Sequence, residues 1–229
     1  MNIPAHYFFI AAMVGVTLLI IVASVAGERK RRRRLEEALV RLGGAFELEP
    51  GDDAKEEAFR HVGLLRGLKT GSRGIRWCGE VAVEGMTVRI LEHKYTTGSG
   101  KNQQTHWHTI ASVPCPPEWP VLTLDEEHLF HKVADLFGKE DLRLDDPAFN
   151  SRWRVKTDDE DFAIVFLSPP VQSFLMSLPK GHRLRVGEGA LCVVQKRRVA
   201  PEQIGALARA PVDLWRLLPG ELGGASAGR

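Results

Sequence analysis

Residues 77–113 read WCGEVAVEGMTVRILEHKYTTGSGKNQQTHWHTIASV, and this stretch decides the fold. Apolar and polar residues alternate on both sides of Glu84-Gly85, a pair that suits a tight turn between two strands. A further alternating run, 105–113, follows the polar segment 96–104. The pattern predicts a three-stranded antiparallel meander with strands at 77–83, 86–95 and 105–113. Its second connection is predicted to be long, polar and exposed.

The residues before the meander predict a helix and a short strand. A helical stripe of apolar side chains ends at Gly43-Gly44, and residues 46–48 alternate as a strand does. The members of the stripe are Leu35, Ala38, Leu39 and Leu42. A further helix is predicted over residues 55–65.

The residues after the meander predict short helices and one more hairpin. Asp125 is predicted to cap a helix that reaches residue 137, and Asp146 to cap a short turn with proline at its first position. Further helices are predicted at 162–167 and 169–178, and a hairpin at 182–186 and 191–196. A last helix begins at Pro201 and is predicted to break at Pro211. The expected fold class is antiparallel α+β, with subdomains at 44–118 and 119–218 and a disordered tail at 219–229.

The N-terminal segment has the pattern of a membrane anchor. Tyr7 to Gly27 contains no charged residue, and a basic run follows it. That run consists of Arg29, Lys30, Arg31, Arg32, Arg33 and Arg34. A transmembrane helix is therefore predicted at 7–27, with an extracytoplasmic tail at 1–6 and a basic juxtamembrane helix at 28–43. A cleaved signal peptide is the alternative, but its basic residues would precede the apolar run.

The charge distribution predicts which partners the chain has. The basic run favours the cytoplasmic side and contact with the head groups of the lipid bilayer. Outside residues 1–34, acidic residues slightly outnumber basic ones, so no basic face for nucleic acid is expected. The expected location is a single-pass inner-membrane protein with its N-terminus outside and its C-terminal domain in the cytoplasm.

Histidines on the meander are the candidate metal ligands. His106 and His108 are two residues apart on one predicted strand, so their side chains share a face. His93, near the end of the paired strand, could join them in a zinc site. Surface or structural histidines are the alternative, and the strand register decides between them.

The segment 96–104 is the candidate for binding a partner. Its Gly98-Ser99-Gly100-Lys101 lacks the spacing of a phosphate-binding P-loop and joins two strands, with no helix following it. Exposed loops carry function more often than cores do, which makes this loop a candidate contact for a partner protein. The candidate side chains are Thr97, Ser99, Lys101 and Gln103.

Catalytic motifs are absent from the sequence. Cys78, Cys115 and Cys192 form no CxxC pair and are expected to be buried thiols. No nucleophile elbow, dinucleotide-binding glycine pattern or kinase motif occurs. The chain is therefore interpreted as a non-enzymatic protein without a cofactor.

Three segments carry a resemblance to known sequences: YTTGSGKNQQTH at 95–106, LDDPAF at 144–149 with Trp153, and Leu167-Ser168-Pro169. They resemble a family of uncharacterised bacterial single-pass membrane proteins that have a cytosolic domain of unknown function. The resemblance covers nearly the whole chain and implies a bacterial inner-membrane protein. It implies no catalytic residues.

The function expected from these observations is a membrane-anchored cytosolic interaction or regulatory module. The alternative is a metal-dependent enzyme that uses His93, His106 and His108.

Overall fold

The computed structural model of the chain describes residues 5–48, 50–52, 55, 74–126 and 142–223. It is an α+β fold built on one antiparallel sheet of eight strands, in the order β1-β2-β3-β4-β8-β7-β5-β6. The strands are β1 (Ala45–Leu48), β2 (Ile75–Val83), β3 (Met86–Thr97), β4 (Gln104–Pro114), β5 (Leu122–Glu126), β6 (Trp153–Thr157), β7 (His182–Gly187) and β8 (Ala190–Gln195).

The described helices are mostly short. They are α1 (Ala5–Arg41), α2 (Pro147–Arg152), α3 (Glu160–Phe166), α4 (Pro169–Ser177), α5 (Ile204–Arg216) and α6 (Gly220–Gly223). The side chains of Asp146 and Asp159 accept hydrogen bonds from the backbone N–H groups of Ala148 and Phe162, which fixes the starts of α2 and α3. The helix predicted at 55–65 lies outside the described residues after its first residue. Most of the helix predicted from Asp125 to residue 137 lies outside them as well.

Two predictions about these elements are wrong. Asp125 does not cap a helix: it lies in β5, where it pairs with Arg183 of β7 and Arg154 of β6. The alternation of Leu122 and Leu124, both fully buried, places this segment in the sheet instead. The last helix also does not break at Pro211, because α5 continues through it. The apolar face of α5 is buried on both sides of the proline, and this packing offsets the hydrogen bond that proline cannot make.

The main core lies on one face of the sheet. Val88, Ile90, Ala111 and Val113 of the meander point into it, and α5 packs across them. A second, smaller cluster on the opposite face contains Leu91, Ile110 and Val194 among its members. β4 pairs with β8, so the boundary predicted near residue 118 falls inside a single sheet.

The second half of α1 is part of the main core. Leu35 and Leu39 are fully buried in it, and α1 contacts both β1 and α5. The first half differs, because the apolar side chains from Met13 to Val25 that the structure describes are about half exposed or more. The single helix therefore joins a packed segment to an apolar segment that the described domain leaves uncovered.

The predicted single-pass location is not supported. Among the residues that the structure describes, no helix is both long enough and apolar enough to cross a bilayer. The long helix does exist, but it runs on without interruption through the basic run to Arg41. The prediction of a transmembrane helix at 7–27, with the location and orientation inferred from it, is corrected accordingly.

Candidate functional site

The β3–β4 hairpin extends beyond its neighbours in the sheet. β2 pairs with β3 only as far as His93, and β8 pairs with β4 only from Thr109 onward. The hairpin pairing itself continues to Thr97 opposite Gln104. A two-stranded ribbon without other support is marginally stable in water. The side chains on its two faces therefore stabilise this extension.

An aromatic cluster supports one face of the extension. The Tyr95 ring stacks on His106, with 4.9 Å between ring centroids, and lies 5.2 Å from the His108 ring and 6.0 Å from the His93 ring. Thr97 Oγ1 and His106 Nε2 are 2.7 Å apart, which makes a hydrogen bond near the tip. Burial, together with the smaller effect of the nearby Arg183 charge, lowers the pKa of His108 to about 3. His108 is therefore a neutral packing residue at physiological pH.

The three histidines do share one face, but they do not form a metal centre. His93 and His108 are directly opposite each other in the register, while Tyr95 is opposite His106. The tyrosine ring occupies the space between the imidazoles. In the described ranges, no group of three His, Cys, Asp or Glu side chains is placed to hold a metal ion. The alternative of a metal-dependent enzyme based on these histidines is not supported.

The other face of the extension carries stacked cations. The Arg198 guanidinium lies 4.3 Å from the Trp107 ring centroid, and the Lys94 amine lies 5.3 Å from it. Arg198 also donates hydrogen bonds to the two carboxylate oxygens of Glu28 at 2.9 and 2.5 Å. The hairpin is thus connected to α1 through one arginine.

A fully buried carboxylate completes this connection. Glu92 is 0% exposed, and its carboxylate lies 2.6 Å from the Arg31 guanidinium and 3.3 Å from that of Arg198. Arg31 also donates to the backbone carbonyl of Val199 at 3.0 Å. The hydrogen bond from Arg198 is the main cause of a lowered pKa at Glu28. We call Glu28, Arg31, Glu92 and Arg198 the helix–hairpin network.

The structure divides the predicted basic run into two sets. Arg31 is partly buried in the network, Arg32 lies 3.6 Å from Glu28, and Arg34 lies 3.6 Å from Glu202. The other three, Arg29, Lys30 and Arg33, are exposed. Part of the run therefore serves the packing of α1 onto the domain.

The loop at the hairpin tip has a defined shape. Residues Gly100–Asn102 form a single 3-10 turn, with a hydrogen bond from the Asn102 N–H to the Ser99 carbonyl. Gly98 has φ +78°, and a Cβ there would lie 2.4 Å from the Asn102 carbonyl oxygen. Of the candidate contact residues, Ser99, Lys101 and Gln103 are exposed, and Thr97 is half-buried. The structure thus presents three of the four side chains to solvent on a fixed turn.

Burial opposes ionisation of two of the three cysteines. Cys78, Cys115 and Cys192 are free thiols, and of the three predicted to be buried, Cys78 is only partly so. Burial raises the pKa of Cys115 to about 11 and also raises the pKa of Cys192. A thiol with a raised pKa is protonated at neutral pH and is a poor nucleophile.

The helix–hairpin network was not predicted from the sequence. One observation would have indicated it: Glu92 has the same strand parity as Val88 and Ile90, which are core residues. A carboxylate at an inward-facing position requires a cationic partner. The identity of that partner depends on residues far away in sequence.

The chain is similar to known proteins in its fold and not in its sequence. No family model and no curated protein matches the chain, so the resemblance noted above stays a prediction. The chain is similar to the crystal structure of the mycobacterial trehalose monomycolate transport factor A, TtfA, with a TM-score of 0.54 and 14% sequence identity. The match covers 82% of this chain and 95% of that one. At this identity the similarity shows a shared fold.

Proposed function

We propose that this chain is a non-catalytic accessory protein that binds a partner protein through the loop 97–104 at the tip of the β3–β4 hairpin. One observation carries the proposal: the loop is exposed, yet its conformation is fixed. A binding loop that is already ordered loses less conformational entropy when its partner binds.

The two faces of the hairpin support this role. The Tyr95 cluster packs on one face of the extension, and the stack of Lys94, Trp107 and Arg198 packs on the other. Together they stabilise the part of the hairpin that projects beyond the neighbouring strands. Binding elements of this kind are more precise when rigid elements position them. The similar solved protein is named as a transport factor, so transport assemblies are the first place to search for the partner.

The test replaces residues 98–103 with Asn-Gly, which joins Thr97 and Gln104 by a two-residue turn. Circular dichroism and thermal unfolding are expected to show a folded protein, because the register of the strands is preserved. Crosslinking in cells followed by affinity recovery is expected to lose the partner that wild type recovers.

A point variant makes the same test at one residue. Lys101→Glu reverses an exposed charge in the loop, and Lys180→Glu is its control at an exposed site elsewhere. We expect Lys101→Glu alone to weaken partner recovery. Equal recovery by the wild type, the Lys101→Glu variant and the loop replacement would contradict the proposal.

A further inference from the structure

A second surface of the molecule, away from the hairpin, has the properties of a peptide-binding groove. It is about 600 Å³ in volume and lies between residues 144–146, which precede α2, and the helices α3 and α4. Leu144, Leu167 and Met176 contribute apolar lining, and Ile164 stands at its side with 55% of its surface exposed. Beyond α1 and the turn that follows it, Ile164 and its neighbour Val165 are the large apolar side chains that the described residues leave exposed.

The wall of this groove is held in place before any ligand arrives. The Asn150 side chain accepts a hydrogen bond from the Leu144 N–H at 3.0 Å and donates one to the Leu144 carbonyl at 2.5 Å. On the opposite side, the Gln172 amide donates to the Leu167 carbonyl at 2.7 Å. A groove with a fixed wall binds a ligand at a smaller entropic cost.

The charge of the groove selects the ligand. Its described lining contains two carboxylates, Asp145 and Asp146, and no basic side chain. Asp146 accepts a hydrogen bond from the start of α2, whereas Asp145 is exposed. Glu160 and Asp161, both exposed, lie one helical turn before Ile164 and add negative charge on that side.

We propose that this groove binds a segment of a partner protein in which an apolar side chain is followed or preceded by a lysine or arginine. The apolar side chain packs against Ile164 and Leu167, and the cation faces Asp145. This surface is separate from the hairpin loop, so a single chain would join two partners.

The experiment is a selection of random twelve-residue peptides on the immobilised full-length chain, followed by measurement of the affinity of the enriched peptides. We expect enrichment of peptides that pair an apolar residue with lysine or arginine. Ile164→Glu is expected to weaken their binding at least tenfold. Val40→Glu, a matched change at an exposed site on α1, is expected to leave it unchanged.

A further variant tests the charge of the contact. Asp145→Asn is expected to weaken the binding of basic peptides and to leave that of neutral peptides unaffected.

Several results would overturn the proposal. One is enrichment of peptides without basic residues, and another is binding that Ile164→Glu does not change. A third is that the chain self-associates, that Ile164→Glu abolishes this self-association, and that no peptide binds. The groove would then be an interface between two copies of this chain. Loss of peptide binding after replacement of the hairpin loop would also overturn the proposal, because the peptides would then bind the loop and not the groove.

Discussion

At the scale of single residues, the Glu92 carboxylate determines how α1 meets the sheet. It is buried between the guanidinium groups of Arg31 and Arg198. Glu92→Gln removes the carboxylate that pairs with Arg31 and leaves Arg198 with Glu28 as its ion-pair partner, so we expect a loss of about 1–3 kcal/mol in the free energy of unfolding. Urea unfolding measures it.

The control for this change is an exposed pair on the same strands. Glu80 and Arg89 lie 2.5 Å apart, with Glu80 about half exposed. Exposed pairs contribute about 0–1 kcal/mol, so Glu80→Gln is expected to change stability little. Equal losses for the two variants would show that burial of Glu92 is not the cause.

The buried imidazole of His108 predicts how stability depends on pH. Its pKa of about 3 in the folded chain is below the ordinary value of 6.5, so the unfolded chain binds the proton more tightly. Its contribution to stability is therefore fully present above pH 6.5 and decreases as pH falls toward 3. At pH 5 the loss from this group is about 2 kcal/mol.

A variant isolates this contribution from those of other groups. His108→Gln cannot take up a proton, so unfolding measured at pH 7 and pH 5 is expected to differ less in the variant than in wild type. His182, whose pKa burial also lowers, contributes to the remaining slope in both proteins. An identical pH dependence in the two proteins would refute the assignment to His108.

At the scale of elements, the second half of α1 behaves as a core helix. Leu39→Ala removes a fully buried side chain and is expected to cost about 2–5 kcal/mol. Val40→Ala, one residue further on, changes a side chain that is 61% exposed and is expected to be nearly neutral. Chemical denaturation of both variants checks the difference, and similar small effects would mean that α1 is not docked in solution.

The elements that the sequence predicted best are those whose pattern is local. The meander was predicted at 77–83, 86–95 and 105–113, and its strands are Ile75–Val83, Met86–Thr97 and Gln104–Pro114. Period-2 alternation and the Glu84-Gly85 turn are sufficient for this, because both act between neighbouring residues. The same holds for the cap at Asp146, whose bond reaches only two residues along the chain.

The elements predicted wrongly are those for which distant contacts outweigh a local preference. Asp125 has the chemistry of a helix cap, but β7 and β6 pair with its segment from both sides. Pro211 would break an isolated helix, yet the sheet beneath α5 holds the chain helical. Neither pairing can be inferred from a window of adjacent residues.

At the scale of the whole molecule, α1 belongs to the folding unit. A chain that begins at residue 28 retains Leu35, Leu39 and the helix–hairpin network, and is expected to unfold cooperatively like the full protein. A chain that begins at residue 44 loses all of the contacts from α1 and exposes the apolar surface beneath it. Calorimetry on both truncations checks this, and a cooperative transition at the same Tm for the shorter chain would refute it.

The candidate site was predicted in part. The exposed loop and its polar side chains follow from composition, because a run of Gly, Ser, Thr, Asn and Gln cannot form a core. Its fixed shape depends on the close approach of Gly98 to Asn102, and its support depends on Arg198, which is distant in sequence. The groove beside Ile164 had no sequence pattern at all, since it forms where residues 144–146 meet α3 and α4.

The sequence by itself determined the antiparallel α+β class, the strands of the meander and the position of the exposed loop. These depend on alternation, turn residues and caps, which act over a few residues. Only the tertiary structure decided that Tyr95 fills the space between three histidines. It also decided that part of the basic run forms ion pairs, and that residues on both sides of position 118 share one sheet. Each of these results depends on strand register and on contacts between distant residues, because burial and charge pairing are properties of the packed chain.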